Sequence, residues 1–146
     1  MIKKDRSWAA LSFKHKQNKM ITIDQFHETE IVIGKIISAE KVPDTDKLLK
    51  LSVDIGVKIL EQVESGESEN RTVIQERDIR QIISGISAFF PEPTVLAGKH
   101  VAFVTNLEPR MLRGLESQGM ILAAHSGDSF ALIEVPETIP PGTRIG

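Results

Sequence analysis

The sequence of 146 residues contains no cysteine and no tyrosine, and it has a single tryptophan. The absence of cysteine excludes disulfide bonds, thiolate metal sites and cysteine nucleophiles, and it permits a reducing compartment. No window approaches 18 consecutive apolar residues, so the sequence offers no candidate for a membrane-spanning helix. We therefore expect a cytoplasmic globular protein that has no membrane segment.

The residues that are present point to one folded domain with an uneven charge distribution. Apolar residues make up 40% of the chain and charged residues 26%, close to the averages of soluble globular proteins. Residues 1–19 hold six lysines or arginines and one aspartate, so this segment carries +5, and the net charge of −2 leaves −7 for the remainder. An acidic body disfavours indiscriminate adsorption to nucleic acid. Any site for an anion must therefore be local.

The basic N-terminal segment resembles a signal peptide only superficially. Its apolar stretch, WAALSF, is six residues long, which is shorter than a secretory apolar region, and no small-residue cleavage site follows. A second start-like sequence, MITIDQF, begins at Met20. We expect residues 1–19 to be a basic leader that can be removed without loss of folding, and residues 20–146 to form the domain.

Short β-prone runs separated by turn signals follow from Glu30. The first, EIVIGKIISAEKV, predicts a strand with Ile31, Ile33 and Ile37 on one face, and Gly34 in its middle indicates a bulge or sharp bend. The turn PDTD ends this strand. The next run, KLLKLSVDIG, places Leu49, Leu51 and Val53 on one face. The later runs are DIRQIISGIS, KHVAFVTNL, and the pair GMILAA and SFALIEV joined by the hairpin turn HSGD.

This pattern predicts an all-β protein. Five or six strands with one short helical connector, AFFPEPTVLAG, favour a five-stranded Greek-key barrel of the OB type, with a β-sandwich as the competing architecture. Residues 57–78 alternate apolar and polar side chains on both sides of the tip SGESEN, which predicts a protruding, inserted β-hairpin. This hairpin carries six acids against three bases, so it suits a solvated flap better than a polyanion site.

Catalytic and metal motifs are missing from the sequence. The four histidines lack the spacing of a metal site. The stretch GLESQGM resembles a nucleophile elbow, but Leu115 stands where that motif needs glycine two residues before Ser117. Met120 occupies the position of the phosphate-binding lysine of a P-loop. We therefore expect a binding protein rather than an enzyme, without a metal or cofactor.

The best local anion site is the loop NLEPRMLRG, which presents Arg110 and Arg113. Together with Lys35 or Arg80 on a strand face, these arginines could contact phosphates on one side of a barrel. The alternative from spacing alone is that they are solvated or salt-bridged surface residues.

Three segments carry a family resemblance: DKLLKLSVDIG, RQIISGIS and AGKHVAFVTNLEPRMLRGLESQGMILAA. They resemble the tRNA-binding domain found at the C-terminus of many methionyl-tRNA synthetases, in phenylalanyl-tRNA synthetase β subunits and in free-standing structure-specific tRNA-binding proteins. The resemblance runs from about residue 24 to 144 and is interrupted by the hairpin inserted after Gly56. It implies an OB-fold, dimeric in free-standing members, that binds tRNA by its folded shape rather than by its anticodon.

Carried over by motif match, the resemblance implies a set of RNA-contacting residues. The sequence departs from the family at Val32, where an arginine is usual, and in the acidic insertion. The implied partners are tRNA, a second copy of the chain and an aminoacyl-tRNA synthetase. The implied contact residues are Arg80, Ser84, Asn106, Arg110, Arg113, Ser117 and Met120.

A second function from a different class is a dimeric export chaperone with a related OB-fold, which would bind unfolded polypeptide. An exposed apolar patch around Met111, Leu112 and Met120 would favour the chaperone. A positive groove flanking Arg80 and Arg113 would favour RNA.

Overall fold

The computed structural model describes residues 19–63 and 72–146. Residues 1–18 of the expected leader, and the tip of the expected hairpin, lie outside the described residues. None of the helices in the described ranges is long and apolar enough to cross a membrane. The described chain contains one short helix, α1 (Ile23–His27), and ten strands: β1 (Ile31–Lys41), β2 (Leu49–Val63), β3 (Thr72–Ser84), β4 (His100–Val104), β5 (Arg110–Leu112), β6 (Leu115–Ser117), β7 (Met120–Ile121), β8 (Ala123–Ser126), β9 (Ser129–Leu132) and β10 (Glu134–Val135).

The main sheet is antiparallel, with the strand order β10-β4-β1-β2-β3, and β7 pairs with the same edge of β4 as β10 does. The strands β5–β6 and β8–β9 form two separate hairpins. Two 3₁₀ helices (Ser87–Phe89 and Pro93–Leu96) connect β3 to β4, as predicted for the connector. The all-β, OB-like fold class is therefore confirmed.

Strand pairing among the described residues follows an open path, and the gap between β3 and β7 is bridged by other hydrogen bonds. The Gln118 N–H donates to the Gln81 carbonyl at 2.8 Å, and the Ile83 N–H donates to the Ser117 hydroxyl at 3.0 Å. The chain just before β7 is thereby tied to the edge strand β3. These contacts hold the two ends of the main sheet together without a continuous ladder.

The core follows the predicted strand alternation except on β1. Leu49, Leu51 and Val53 on β2 are fully buried, as the sequence predicts. The prediction that Ile31, Ile33 and Ile37 share the core face of β1 is wrong, because it is Val32 and Ile36, on the alternate positions, that belong to the core cluster. Ile36 is buried instead, and Ile37 is 48% exposed. The register of β1 against β2 shifts between Ile36 and Ser38, so the β-bulge lies after Ile36 and not at Gly34.

Gly34 is needed for close packing rather than for a bend. It pairs regularly with Val101 of β4. A Cβ atom at this position would lie 2.7 Å from Val53 Cγ1 and 2.8 Å from Phe103 Cδ2. Both neighbours are fully buried, so neither side chain has space to move away.

Gly34→Ala is therefore expected to lower the free energy of unfolding by about 1–3 kcal/mol, the usual cost of overpacking a core. Urea denaturation measures this change. Gly85→Ala is the matched control, since no atom beyond its two chain neighbours lies within 4 Å of the position that its Cβ would take, and it should be close to neutral. Equal stability of the two variants would show that the core around Gly34 is loosely packed.

The β2–β3 hairpin leaves the main sheet where the C-terminal tail joins it. Tail residues replace β2 beside β1, since the Gly142 N–H donates to the Ile33 carbonyl at 2.7 Å and the Ile145 N–H to the Ile31 carbonyl at 2.9 Å. Gly56 and Gly142 touch at this junction, and both have positive φ angles, of 110° and 90°. Beyond it, β2 pairs with β3 alone out to Val63 and Thr72, as predicted for the protruding hairpin.

Helix α1 was not predicted from the sequence. Thr22 caps it by a reciprocal capping box: the Gln25 N–H donates to Thr22 Oγ1 at 3.1 Å, and the Thr22 N–H donates to Gln25 Oε1 at 2.8 Å. The spacing of threonine and glutamine three residues apart is the signal that could have revealed it.

Candidate nucleic-acid interface

An open cleft of about 470 Å³ lies between the loop that joins β1 to β2 and the β5–β6 hairpin. These are the two loop regions that flank the binding face in OB-folds. The first loop brings two aspartates and a lysine, and the hairpin brings Arg113. The lining residues are Asp44, Thr45, Asp46, Lys47, Leu48, Met111, Leu112 and Arg113.

The tip of the β5–β6 hairpin holds an arginine in an unfavourable backbone conformation. Leu112 pairs with Leu115, which leaves Arg113 and Gly114 as a two-residue turn with φ angles of 51° and 80°. Positive φ at both positions matches a type I′ turn, which favours asparagine and glycine. A left-handed conformation costs an L-residue roughly 1–2 kcal/mol. Strain of this kind often accompanies a functional position.

Arg110 and Arg113 are both exposed on this hairpin. Neither guanidinium has an ion pair or hydrogen bond with the side chains described for residues 19–60 and 74–146. Lys47, on the opposite side of the cleft, likewise has no ion pair within those ranges. The cleft thus offers Arg113 and Lys47 to an incoming anion, against the two carboxylates of Asp44 and Asp46. Arg110 lies on the same hairpin but outside the cleft lining.

Arg80 lies elsewhere, at the bridged gap beside β3, and its donors are engaged within the chain. Its Nη1 donates to the carbonyl oxygens of Thr105 at 2.5 Å and Gln118 at 3.3 Å. Its Nη2 donates to Asp78 Oδ2 at 3.1 Å. One guanidinium therefore connects β3 to the chain after β4 and to the chain before β7.

Two other residues implied by the resemblance also make internal contacts. The Ser117 hydroxyl is buried, and it donates to the Gly119 carbonyl at 3.1 Å while it accepts the Ile83 N–H. The Asn106 Oδ1 accepts the Glu30 N–H at 2.8 Å, and its Nδ2 donates to the Glu28 carbonyl at 2.6 Å. Asn106 thereby fixes the loop after β4 to the entrance of β1.

The remaining residues implied by the resemblance make fewer internal contacts. Ser84 is half-buried at the end of β3, opposite Leu49. Met120 on β7 is 46% exposed. Val32, where the family usually has arginine, is buried in the core. The structure thus places Arg110 and Arg113 together on one hairpin, while Arg80, Asn106 and Ser117 contact the connections around it.

Sequence reasoning missed Lys47 as a member of this cleft. It follows the turn PDTD directly, and a basic residue immediately after a turn between two strands is the signal that could have identified it. Across the described ranges, no three histidine or carboxylate side chains gather as a metal site would require.

The fold and the cleft define an all-β, OB-like domain with an arginine-bearing hairpin beside an open cleft. The sequence profile of the tRNA binding domain family matches residues 31–79 and 72–144. The chain belongs to this family.

Two methionine–tRNA ligases illustrate the similarity. The chain is 42% identical to the enzyme of Methanoregula boonei over 132 residues, which are 90% of this chain and 16% of that protein. It is 38% identical to the enzyme of Thermotoga maritima over 129 residues, 88% of this chain and 17% of that protein. The chain therefore spans about a sixth of the length of these relatives.

Solved structures show the same fold. A protein related to methionyl-tRNA synthetase from Pyrococcus horikoshii superposes with a TM-score of 0.69 at 34% identity, covering 88% of this chain and 99% of that one. The chaperone CsaA of Bacillus anthracis superposes with a TM-score of 0.64 at 21% identity, covering 88% of this chain and 100% of that one. At that identity, the second likeness concerns the fold alone.

Proposed function

We propose that this chain is a non-catalytic module that binds tRNA by its folded shape, either free-standing or as an accessory to an aminoacyl-tRNA synthetase in the cytoplasm. The observation that carries the proposal is the exposed β5–β6 hairpin, which holds Arg113 at its tip in a strained conformation. Arginine forks suit phosphate oxygens, and exposed arginines that have no partner among the described side chains are available for them.

The side chains on the strands beside the cleft support recognition by shape. The outer face of β2 and β3 carries polar side chains such as Lys50, Ser52 and Gln81, and no aromatic residue. A sheet without aromatic groups has no platform for the row of bases that single-strand binders stack. Contacts to phosphates and 2′-hydroxyls of a folded RNA fit this surface better.

A filter-binding comparison of total tRNA, single-stranded RNA and an unfolded protein tests the proposal. We expect tRNA to be retained at much lower protein concentrations than the other two. Preferential retention of the single-stranded RNA would contradict recognition by shape. Preferential retention of the unfolded protein would support the chaperone function instead.

One observation supports a chaperone as the second candidate function. Met111 is 63% exposed and Met120 is 46% exposed, and flexible apolar side chains of this kind suit variable polypeptide partners. The arginines beside Met111 favour RNA, because a polypeptide site has no general need for unpaired positive charge.

We also propose that the chain forms a homodimer, as the family resemblance implies. Light scattering should give about 32 kDa, twice the chain mass of 16.2 kDa. The tail has apolar surface to contribute, since Ile145 remains exposed although its backbone pairs with β1. Ile145→Ser should weaken this dimer. Val95→Ser, which changes another exposed apolar residue outside the tail, is the control. A monomer at high micromolar concentration would contradict the proposal.

A further inference from the structure

Four ring-bearing side chains gather on one surface outside the cleft. Phe89 ends the first 3₁₀ helix, and His125 and Phe130 face each other across the β8–β9 hairpin. The rings of Phe89 and Phe130 are stacked, with centroids 4.1 Å apart and planes 5° from parallel. Phe90 meets Phe130 edge-on at 5.8 Å, and His125 meets Phe89 edge-on at 5.2 Å. We call this group the aromatic cluster.

One side of the aromatic cluster packs on the core, and the other side is exposed to solvent. Phe90 and Phe130 pack against buried core residues, so they anchor the stack. Phe89 is 37% exposed, and His125 is exposed as well. His125 is held in place, because its Nε2 lies 2.8 Å from the Gly127 carbonyl oxygen. The result is a preorganised pair of parallel rings that remains accessible from solvent.

The aromatic cluster is connected to the cleft. The Ser87 N–H donates to the Lys47 carbonyl at 3.1 Å, which fixes the start of the 3₁₀ helix to the loop that lines the cleft. Phe89 follows two residues later in the same helix. The cleft brings the cationic side chains of Lys47 and Arg113 to this side of the molecule, together with the carboxylates of Asp44 and Asp46. Cationic groups with aromatic rings beside them are the combination by which proteins hold unpaired nucleotides.

We propose, on the basis of the proposed function, that the Phe89–Phe130 stack is a stacking site for an unpaired nucleobase of the bound RNA. The phosphates on either side of that base would be held by the cationic groups of the cleft. A planar base extends the existing stack because its π face matches that of a phenylalanine ring. The site would let the chain contact an unpaired base of tRNA. The outer face of β2 and β3 has no aromatic residue for such a contact.

Phe89→Leu tests this site, because leucine keeps apolar bulk and removes the aromatic face. We expect it to weaken binding of total tRNA at least about fivefold, the lower end of the effect of losing one base–aromatic stack. It should leave binding of a blunt-ended RNA duplex unchanged, since a duplex offers no unpaired base. Phe89→Trp, which retains a stacking face, should keep the affinity for tRNA.

The control is Phe26→Leu, which changes a phenylalanine of equal exposure on α1, outside the aromatic cluster. Thermal unfolding checks that all three variants are folded. If folded Phe89→Leu bound tRNA as tightly as the wild type, the stacking site would be refuted and the proposed function would stand. If Phe89→Leu only dissociated a dimer, the stacking site would also be refuted and the proposed function would stand, because the aromatic cluster would then be a protein interface. Failure of the wild type to bind either RNA would refute the proposed function and this site with it.

Discussion

The double variant Arg110→Ala, Arg113→Ala is expected to bind tRNA at least about tenfold more weakly than the wild type, and with a shallower dependence on salt. Each phosphate contact releases a counterion, and this contributes about 0.9 to the slope of log affinity against log salt, taking the value for duplex nucleic acid. With roughly two to four contacts per protomer, a dimer should show a wild-type slope of about −4 to −7. Losing two contacts per protomer makes that slope shallower by up to about 4 in a dimer and 2 in a monomer.

Affinity for several tRNAs, measured at two or more salt concentrations, checks this expectation. All tRNAs should weaken together, because phosphate contacts carry no sequence information. The matched control is Lys58→Ala, Lys99→Ala, which removes the same charge from residues that are paired with Glu76 and Glu134 away from the cleft. If both double variants lost affinity equally, net charge would be the cause and the hairpin would not be the RNA site.

Arg80→Ala is expected to lower the free energy of unfolding by about 2–4 kcal/mol. The substitution removes the donors that reach the carbonyls of Thr105 and Gln118, and it leaves the mostly buried carboxylate of Asp78 without its partner. For a chain of this size, the thermal midpoint should fall by roughly 6 to 13 °C. The salt dependence of tRNA binding should change little, because these donors point to the protein itself.

Arg80→Lys separates the two roles that Arg80 could have. Lysine keeps the positive charge but lacks the planar fork that spans three acceptors, so it should restore little of the lost stability. A variant Arg80→Ala with wild-type stability and a shallower salt slope would show instead that Arg80 contacts phosphate, as the family resemblance implies.

The elements that could be predicted from sequence are those governed by local patterns. The alternation of Leu49, Leu51 and Val53 specifies which face of β2 is buried, because side chains of a strand alternate whatever lies beside it. The turn around Gly127 and the helical connector were also predicted, because glycine and proline signal such segments locally. The core-facing side of β1 was predicted wrongly because this strand has large apolar residues on both faces, so periodicity alone does not say which face the core covers. The position of its β-bulge depends on the register between two strands, which is not a property of either one.

The candidate site shows the same division between local and tertiary information. The sequence alone determined that the chain is all-β, that it has few aromatic residues, and that Arg110 and Arg113 lie on a turn-rich loop. Arg80 and Arg113 are chemically identical in the sequence, and only the fold assigns one to internal hydrogen bonds and the other to a strained, exposed turn. The meeting of Phe89 with Phe130 was likewise decided by tertiary structure. Strand periodicity specifies which side of a strand is buried, whereas contacts between distant segments depend on how the strands are ordered and closed around the core.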